Sequence, residues 1–184
     1  MARNSKERML EAAEAIVREE GARQLTLDAV AERCQMSKGG VLHHFRTKQS
    51  LLKAMLARMM NSDEDLIDQR LKDYAGQPNA QLRARIEALF AFLQDEDRLS
   101  RSMLAALAED PSLLEPVREK DQITRDIVRE ESQDSDLAQL LLFAARGLFL
   151  SRVLGVTDSD DPDIQSLHQR IVDLTAHVGC VDKP

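Results

Sequence analysis

The sequence contains no tryptophan and only one tyrosine, and runs of β-branched residues are scarce. Ala, Leu, Glu, Asp, Arg and Gln dominate instead, an all-helical composition. Its two cysteines, Cys34 and Cys180, show neither metal spacing nor a disulfide framework. Cys34 falls on the apolar face of a predicted helix and reads as a small buried hydrophobe. Cys180 lies near the tail and is expected to be free; both suit a reducing cytoplasm. Long apolar runs are missing too. The longest, Leu140 to Leu150, is too short to span a bilayer and contains Arg146. The N-terminus is polar and charged before any apolar run, so no signal peptide is expected. No nucleophile–base pattern, phosphate-cradling loop or dinucleotide fingerprint is visible. His43 and His44 are neighbours, His168 and His177 lie apart from any cysteine pair, and the acidic run at 158–163 lacks the glycine and terminal glutamate of a calcium loop. The expectation is a protein that is not an enzyme and carries no metal or cofactor.

Positive charge is also in deficit: the net charge is −7, which by itself argues against nucleic acid. The distribution reverses that reading. Residues 1–58 hold 11 Lys/Arg against 7 Asp/Glu, a balance of +4, whereas the remainder holds 14 against 25, a balance of −11. A basic N-terminal part can meet phosphates while an acidic body repels a duplex.

The stretch from Thr26 to Phe45, TLDAVAERCQMSKGGVLHHF, reads as two short helices around a tight turn. Thr26 is placed to cap the first, whose apolar face is Leu27, Val30, Ala31 and Cys34. Gln35-Met36 interrupts it, and Ser37 caps the second, which carries Lys38, Gly39, Gly40, Leu42, His43 and His44, with Val41 and Phe45 turned inward. This is the helix-turn-helix pattern, in which the second helix enters the DNA major groove.

Leu25 to Leu56 closely resembles the N-terminal domain of the tetracycline-repressor (TetR) family of bacterial transcription regulators. The resemblance rests on Thr26, the Val30-Ala31 pair, Ser37-Lys38-Gly39, His44-Phe45, and Lys48 with Leu51-Leu52. It covers roughly the first third of the chain. Two positions depart from it: Gln35 stands where a turn glycine is usual, requiring an uncommon backbone conformation or a slightly different turn, and His43 stands where a DNA-contacting tyrosine is common. The resemblance implies a dimer and a ligand pocket in the body.

Along the chain, residues 1–4 read as a loose arm with Arg3 available to DNA. Asn4 or Ser5 caps a helix running to about Glu20, with Met9, Ala12, Ala13, Ile16 and Val17 inward and Gly21 ending it. A longer helix runs from Lys48 to about Tyr74, stopped by Gly76-Gln77-Pro78. The next spans Asn79 to about Gln94, with Leu82, Ile86, Leu89, Phe90 and Leu93 inward. Asp95-Glu96-Asp97 is expected to separate it from a helix holding Leu99, Met103, Leu104 and Leu107. Asp110 and Pro111 open another, which Pro116 kinks or divides. From Ser135 to Leu154 apolar residues go nearly all round the helix, so every side must be covered. A second subunit is the expected cover, with Gly147 allowing close approach. A final helix carries Ile164, Leu167, Ile171, Leu174 and Val178.

The resulting expectation is an all-α chain: a three-helix helix-turn-helix domain at 1–47 and a helical regulatory and dimerisation domain at 48–184. The candidate DNA contacts are Thr26, Ser37, Lys38, Gly39, Gly40, Leu42, His43, His44 and Lys48. Lys38 and Lys48 can meet phosphates or remain merely solvated. Gly39 and Gly40 fit close approach to DNA or a compact helix crossing, and His44 is expected to pack under the turn with Phe45. The candidate ligand-pocket residues are Phe90, Met103, Leu104, Leu107, Phe143, Arg146 and Phe149, each of which also suits an ordinary core. Arg146 can pair with an anionic ligand or with an acidic side chain across the dimer. The function expected is that of a cytoplasmic, ligand-responsive regulator, a repressor binding a palindromic operator as a homodimer, with an unidentified small-molecule effector and no membrane partner. The alternative is a helical scaffold using the same head to bind protein.

Overall fold

A computed structural model of the chain describes residues 5–158 and 161–179, without the side chains of 92–98. Arg3, Asn4, Ser159, Asp160, Cys180 and the side chains of Leu93, Gln94 and Asp95-Glu96-Asp97 lie outside the described residues. Among those described there are eight α-helices and no strand: α1 (Ser5–Glu20), α2 (Leu27–Arg33), α3 (Lys38–His44), α4 (Lys48–Asp73), α5 (Ala80–Glu109), α6 (Glu115–Glu131), α7 (Ser135–Val153) and α8 (Pro162–Thr175).

Local chemistry sets most of the boundaries. Gly21 ends α1 at φ 93°, its N–H donating to the Val17 carbonyl at 3.0 Å, a left-handed cap that glycine adopts without a Cβ penalty. Asp110 caps a 3-10 turn, Pro111–Leu114, and α6 begins just after it at Glu115. Pro116 therefore sits in the first turn of α6, where its missing N–H removes no helical hydrogen bond. Asp134 and Asp161 cap α7 and α8.

Two boundaries differ from expectation. Residues 80–109 form a single helix of 30 residues, not two helices separated at Asp95-Glu96-Asp97. No glycine or proline lies in this stretch, and acidic residues alone cost a helix only a few tenths of a kcal/mol each, within a propensity range of about 0.7 kcal/mol. α8 is also shorter than expected: it ends at Thr175, and Val178 is buried in the turn beyond it.

The chain forms two compact units, one comprising the residues up to Asn61 with Arg98–Pro116, the other Ser62–Asp97 with the chain from Val117 onward. The first is built on Met9, Ala13, Ile16 and Val17 of α1, Val30 and Val41 of α2 and α3, and Leu51 and Met55 of α4, all essentially inaccessible. The end of α5 belongs to this core. Met103 is buried, and the Ser102 hydroxyl donates to the Val17 carbonyl at 3.3 Å.

In the second unit, Ile67, Ala84 and Ala88 pack with Leu66, Leu71 and Tyr74. Asn79, wholly buried, holds the turn before α5 with φ 54°. Its Nδ2 donates to the Thr175 carbonyl at 3.1 Å, and its Oδ1 accepts from the Ser132 hydroxyl at 3.2 Å. One amide thus ties together the start of α5, the end of α6 and the end of α8.

Candidate nucleic-acid interface

The turn between α2 and α3 is closed by its own residues. Thr26 Oγ1 accepts from the Ala29 amide at 3.0 Å, and Ser37 Oγ accepts from the Gly40 amide at 3.1 Å, so each helix carries the N-cap its sequence implied. Gln35 takes φ 54°, the left-handed conformation its position requires. The Met36 amide then donates back to the Ala31 carbonyl at 2.9 Å. Val30, Ala31, Val41 and Phe45 are buried beneath the turn.

That packing fixes what α3 presents outward. Ser37, Lys38, Gly39, Leu42, His43 and His44 are exposed, Gly40 is half-buried, and Thr26 is exposed at the start of α2. His44 is therefore not packed under the turn. Val41 and Phe45, one turn apart, occupy the inward face, and His44 stands beside His43 with ring centroids 5.3 Å apart in an edge-to-face pair. A Cβ added at Gly39 would meet nothing nearer than Ser37 Oγ at 4.0 Å, whereas one at Gly40 would touch Met36 Cε and Ser37 Oγ at 3.4 Å. Internal packing thus gives no reason for glycine at 39. Lys48 is half-buried at the start of α4, its ammonium donating to the Arg23 carbonyl at 3.4 Å.

Lys38 is not merely solvated. Its ammonium lies 2.9 Å from the carboxylate of Asp28 on the first turn of α2. Asp28 is absent from the sequence-derived contact set, and no helical spacing relates positions 28 and 38. Only the folded turn brings them together.

The candidate pocket residues are dispersed between the two units. Met103, Leu104 and Leu107 belong to the first, and Phe90, Phe143, Arg146 and Phe149 to the second. Phe90 is buried, Phe149 half-buried and Phe143 exposed. Arg146 has a partner within its own chain. It donates to Asp121 on α6 of its own chain and lies 5.6 Å from the Phe143 ring centroid. Asp121 also holds Arg125 at 3.0 Å. A shallow recess of about 380 Å³ lies on the first unit beside Arg8, Glu11, Arg33 and Cys34, and none of the candidate pocket residues lines it. Among the described residues no His/Cys/Asp/Glu group could hold a metal ion, and no helix is long and apolar enough to cross a membrane.

On α7, Ala138, Leu141, Leu142, Ala145 and Val153 are buried. The opposite side carries Leu140, Phe143, Gly147, Leu150 and Leu154, all exposed. Their alternating spacing of three and four residues draws one apolar stripe along the helix. A Cβ added at Gly147 meets nothing within 4 Å.

Residues 9–55 match the pattern that defines bacterial regulatory proteins of the tetR family, and residues 79–176 match the tetracyclin repressor-like C-terminal domain. A comparison with curated protein sequences finds no match. Among solved structures, a transcriptional regulator from Rhodococcus sp. Rha1 is 23% identical, covering 98% of this chain and 100% of its own with a TM-score of 0.67. The multidrug binding protein EbrR, complexed with malachite green, is 21% identical over 91% of this chain and 98% of its own, TM-score 0.70. The ketosteroid transcriptional regulator KstR2 of Mycobacterium tuberculosis is 17% identical over 100% of this chain and 98% of its own, TM-score 0.62. At these identities the likeness is one of fold. The two matched patterns together take in most of the sequence, and the chain belongs to the tetR family of bacterial regulatory proteins, non-enzymatic transcriptional regulators with a helix-turn-helix.

Proposed function

We propose that the protein is a cytoplasmic, ligand-responsive repressor that binds a palindromic operator as a homodimer. In this reading residues 1–47 are the DNA-binding head and 48–184 the regulatory and dimerisation part. The observation that carries the proposal is the outward face of α3, where Lys38, Gly39, Leu42 and His43 are exposed and position 39 has no internal reason to be glycine. Gly39 lets the helix backbone approach the duplex. Leu42 and His43 face base edges or the groove wall. Thr26, Ser37, Gly40, His44, Lys38 and Lys48 serve the backbone and the fit of the helix in the groove.

The apolar stripe of α7 supports the dimer, because a line of exposed leucines broken by an unobstructed glycine suits a second copy of the same helix. Two copies would set their recognition helices about 34–36 Å apart, one turn of B-form DNA. The effector site is proposed within residues 48–184, with Phe90 and Phe149 as lining candidates; the likeness to EbrR, complexed with malachite green, supports ligand response. An effector relieves repression only if it binds better to a shape that no longer matches the operator.

Selection of bound duplexes from a random library tests the reading, and inverted repeats are the expected product. Failure to bind any duplex in dilute buffer, or the recovery of sites without dyad symmetry, overturns it.

A further inference from the structure

Lys38 opens the recognition helix, and both Asp28 oxygens lie close to its ammonium, at 2.9 and 3.0 Å. The side chains are 62% and 67% exposed, so neither is locked by packing. The contact exists because Gln35 and Met36 fold α3 back toward α2. It places a carboxylate on the very cation that the DNA reading assigns to a phosphate.

We infer that Asp28 is an intramolecular competitor of the DNA phosphate for Lys38. The inference rests on the reading of Lys38 as a phosphate contact. In the free protein Asp28 neutralises Lys38, and on the duplex a phosphate must take the ammonium from it. An exposed pair of this kind shifts an equilibrium by up to about fivefold. The carboxylate left beside the phosphate then gathers a counterion and cancels part of the release that Lys38 provides. Because the exchange involves the DNA backbone only, it weakens binding to all duplexes alike and leaves the preference among sequences unchanged.

The test is a double-mutant cycle of wild type, Asp28→Asn, Lys38→Ala and the double variant, each titrated with a mixed-sequence duplex over a salt series. Asp28→Asn removes the charge with little change of shape, and a thermal melt of each variant establishes folding. The expected result is tighter binding by Asp28→Asn, by about two- to fivefold at low salt, with a salt slope steeper by up to about one unit. In the Lys38→Ala background the same change should tighten binding little. Equal tightening in both backgrounds means that Asp28 simply repels DNA, and overturns the proposal. No tightening by Asp28→Asn, with Lys38→Ala still weakening binding, overturns it while leaving the phosphate contact intact. If Lys38→Ala binds as wild type does, the phosphate contact fails and the competition with it.

Discussion

The imidazole of His168 on α8 stacks on the ring of Phe90 on α5, with centroids 3.8 Å apart and planes 25° from parallel. Its Nε2 is buried and has no hydrogen-bond partner among the described residues. Burial holds the pKa below the ordinary histidine value, and the charge of Glu87 on α5 opposes this only in part. The neutral ring packs well; the charged ring would lose its hydration with nothing to replace it.

A pH dependence follows. Below about pH 6.5 the unfolded chain binds a proton at position 168 that the folded chain resists. The unfolded state thus binds more protons, and stability falls as pH drops, levelling off only below the depressed folded pKa. Urea unfolding near neutrality and in mild acid should show a larger loss for wild type than for His168→Leu. Identical losses would mean that the ring titrates as it does in water.

Asn79 carries a second prediction. It combines φ 54° with two buried hydrogen bonds, to Thr175 and from Ser132. Asn79→Ala loses both bonds and adds a left-handed penalty, so a destabilisation of about 2–4 kcal/mol is expected. Asn79→Gly relieves the backbone but not the bonds and should fall between alanine and wild type. Denaturant midpoints of the three proteins decide this, and a glycine variant no better than alanine would remove the backbone from the explanation.

The contrast between these residues and the turn of α2 and α3 shows what the sequence could disclose. Thr26, Ser37 and Asp110 were legible as caps because a cap is a bond to an amide two or three positions away. Gln35 was legible only through the resemblance, as a residue standing where a turn glycine is usual, and of the two outcomes that left open it takes the uncommon backbone conformation. Asn79 was not, since its partners lie 53 and 96 positions off, and the pairings of Lys38 with Asp28 and of Arg146 with Asp121 depend on how helices pack. The acidic triplet at 95–97 misled for a related reason: a propensity of a few tenths of a kcal/mol does not decide whether a helix continues. His44 misled because adjacency to Phe45 says nothing of direction on a helix, where Val41 and Phe45 already occupy the buried face.

The α7 stripe predicts the assembly state. Leu150 and Leu154 are exposed in the single chain, so Leu150→Glu should leave the fold of one copy unchanged and place a charge in the proposed dimer seam. Sedimentation should show wild type at twice the chain mass and the variant shifted toward one chain, with weaker binding to an inverted repeat. A variant that stays fully dimeric would place the interface elsewhere.

Lys48 stands at the start of α4 with its ammonium bonded, among the described residues, only to the Arg23 carbonyl, a neutral acceptor that leaves its charge available to a phosphate. Lys48→Ala should weaken binding to all sequences and lower the salt slope by about one unit. Gel-shift titrations across a salt series measure both; an unchanged slope would count against phosphate contact.

Gly39 separates the needs of the fold from those of binding. A glycine within a helix is less favourable than alanine by about 0.8–1.0 kcal/mol, and an added Cβ here would meet no side chain nearer than 4.0 Å. Gly39→Ala should therefore raise the unfolding midpoint, by up to about 1 kcal/mol of stability. If the helix backbone sits against the duplex, the same methyl group occupies the space that DNA needs, and affinity should fall even though the protein is more stable. Thermal melts and duplex titrations on one preparation measure the two effects side by side. A variant that gains stability and binds DNA as wild type does would show that backbone approach at 39 is not what the glycine is for, and would shift the recognition surface toward Leu42 and His43.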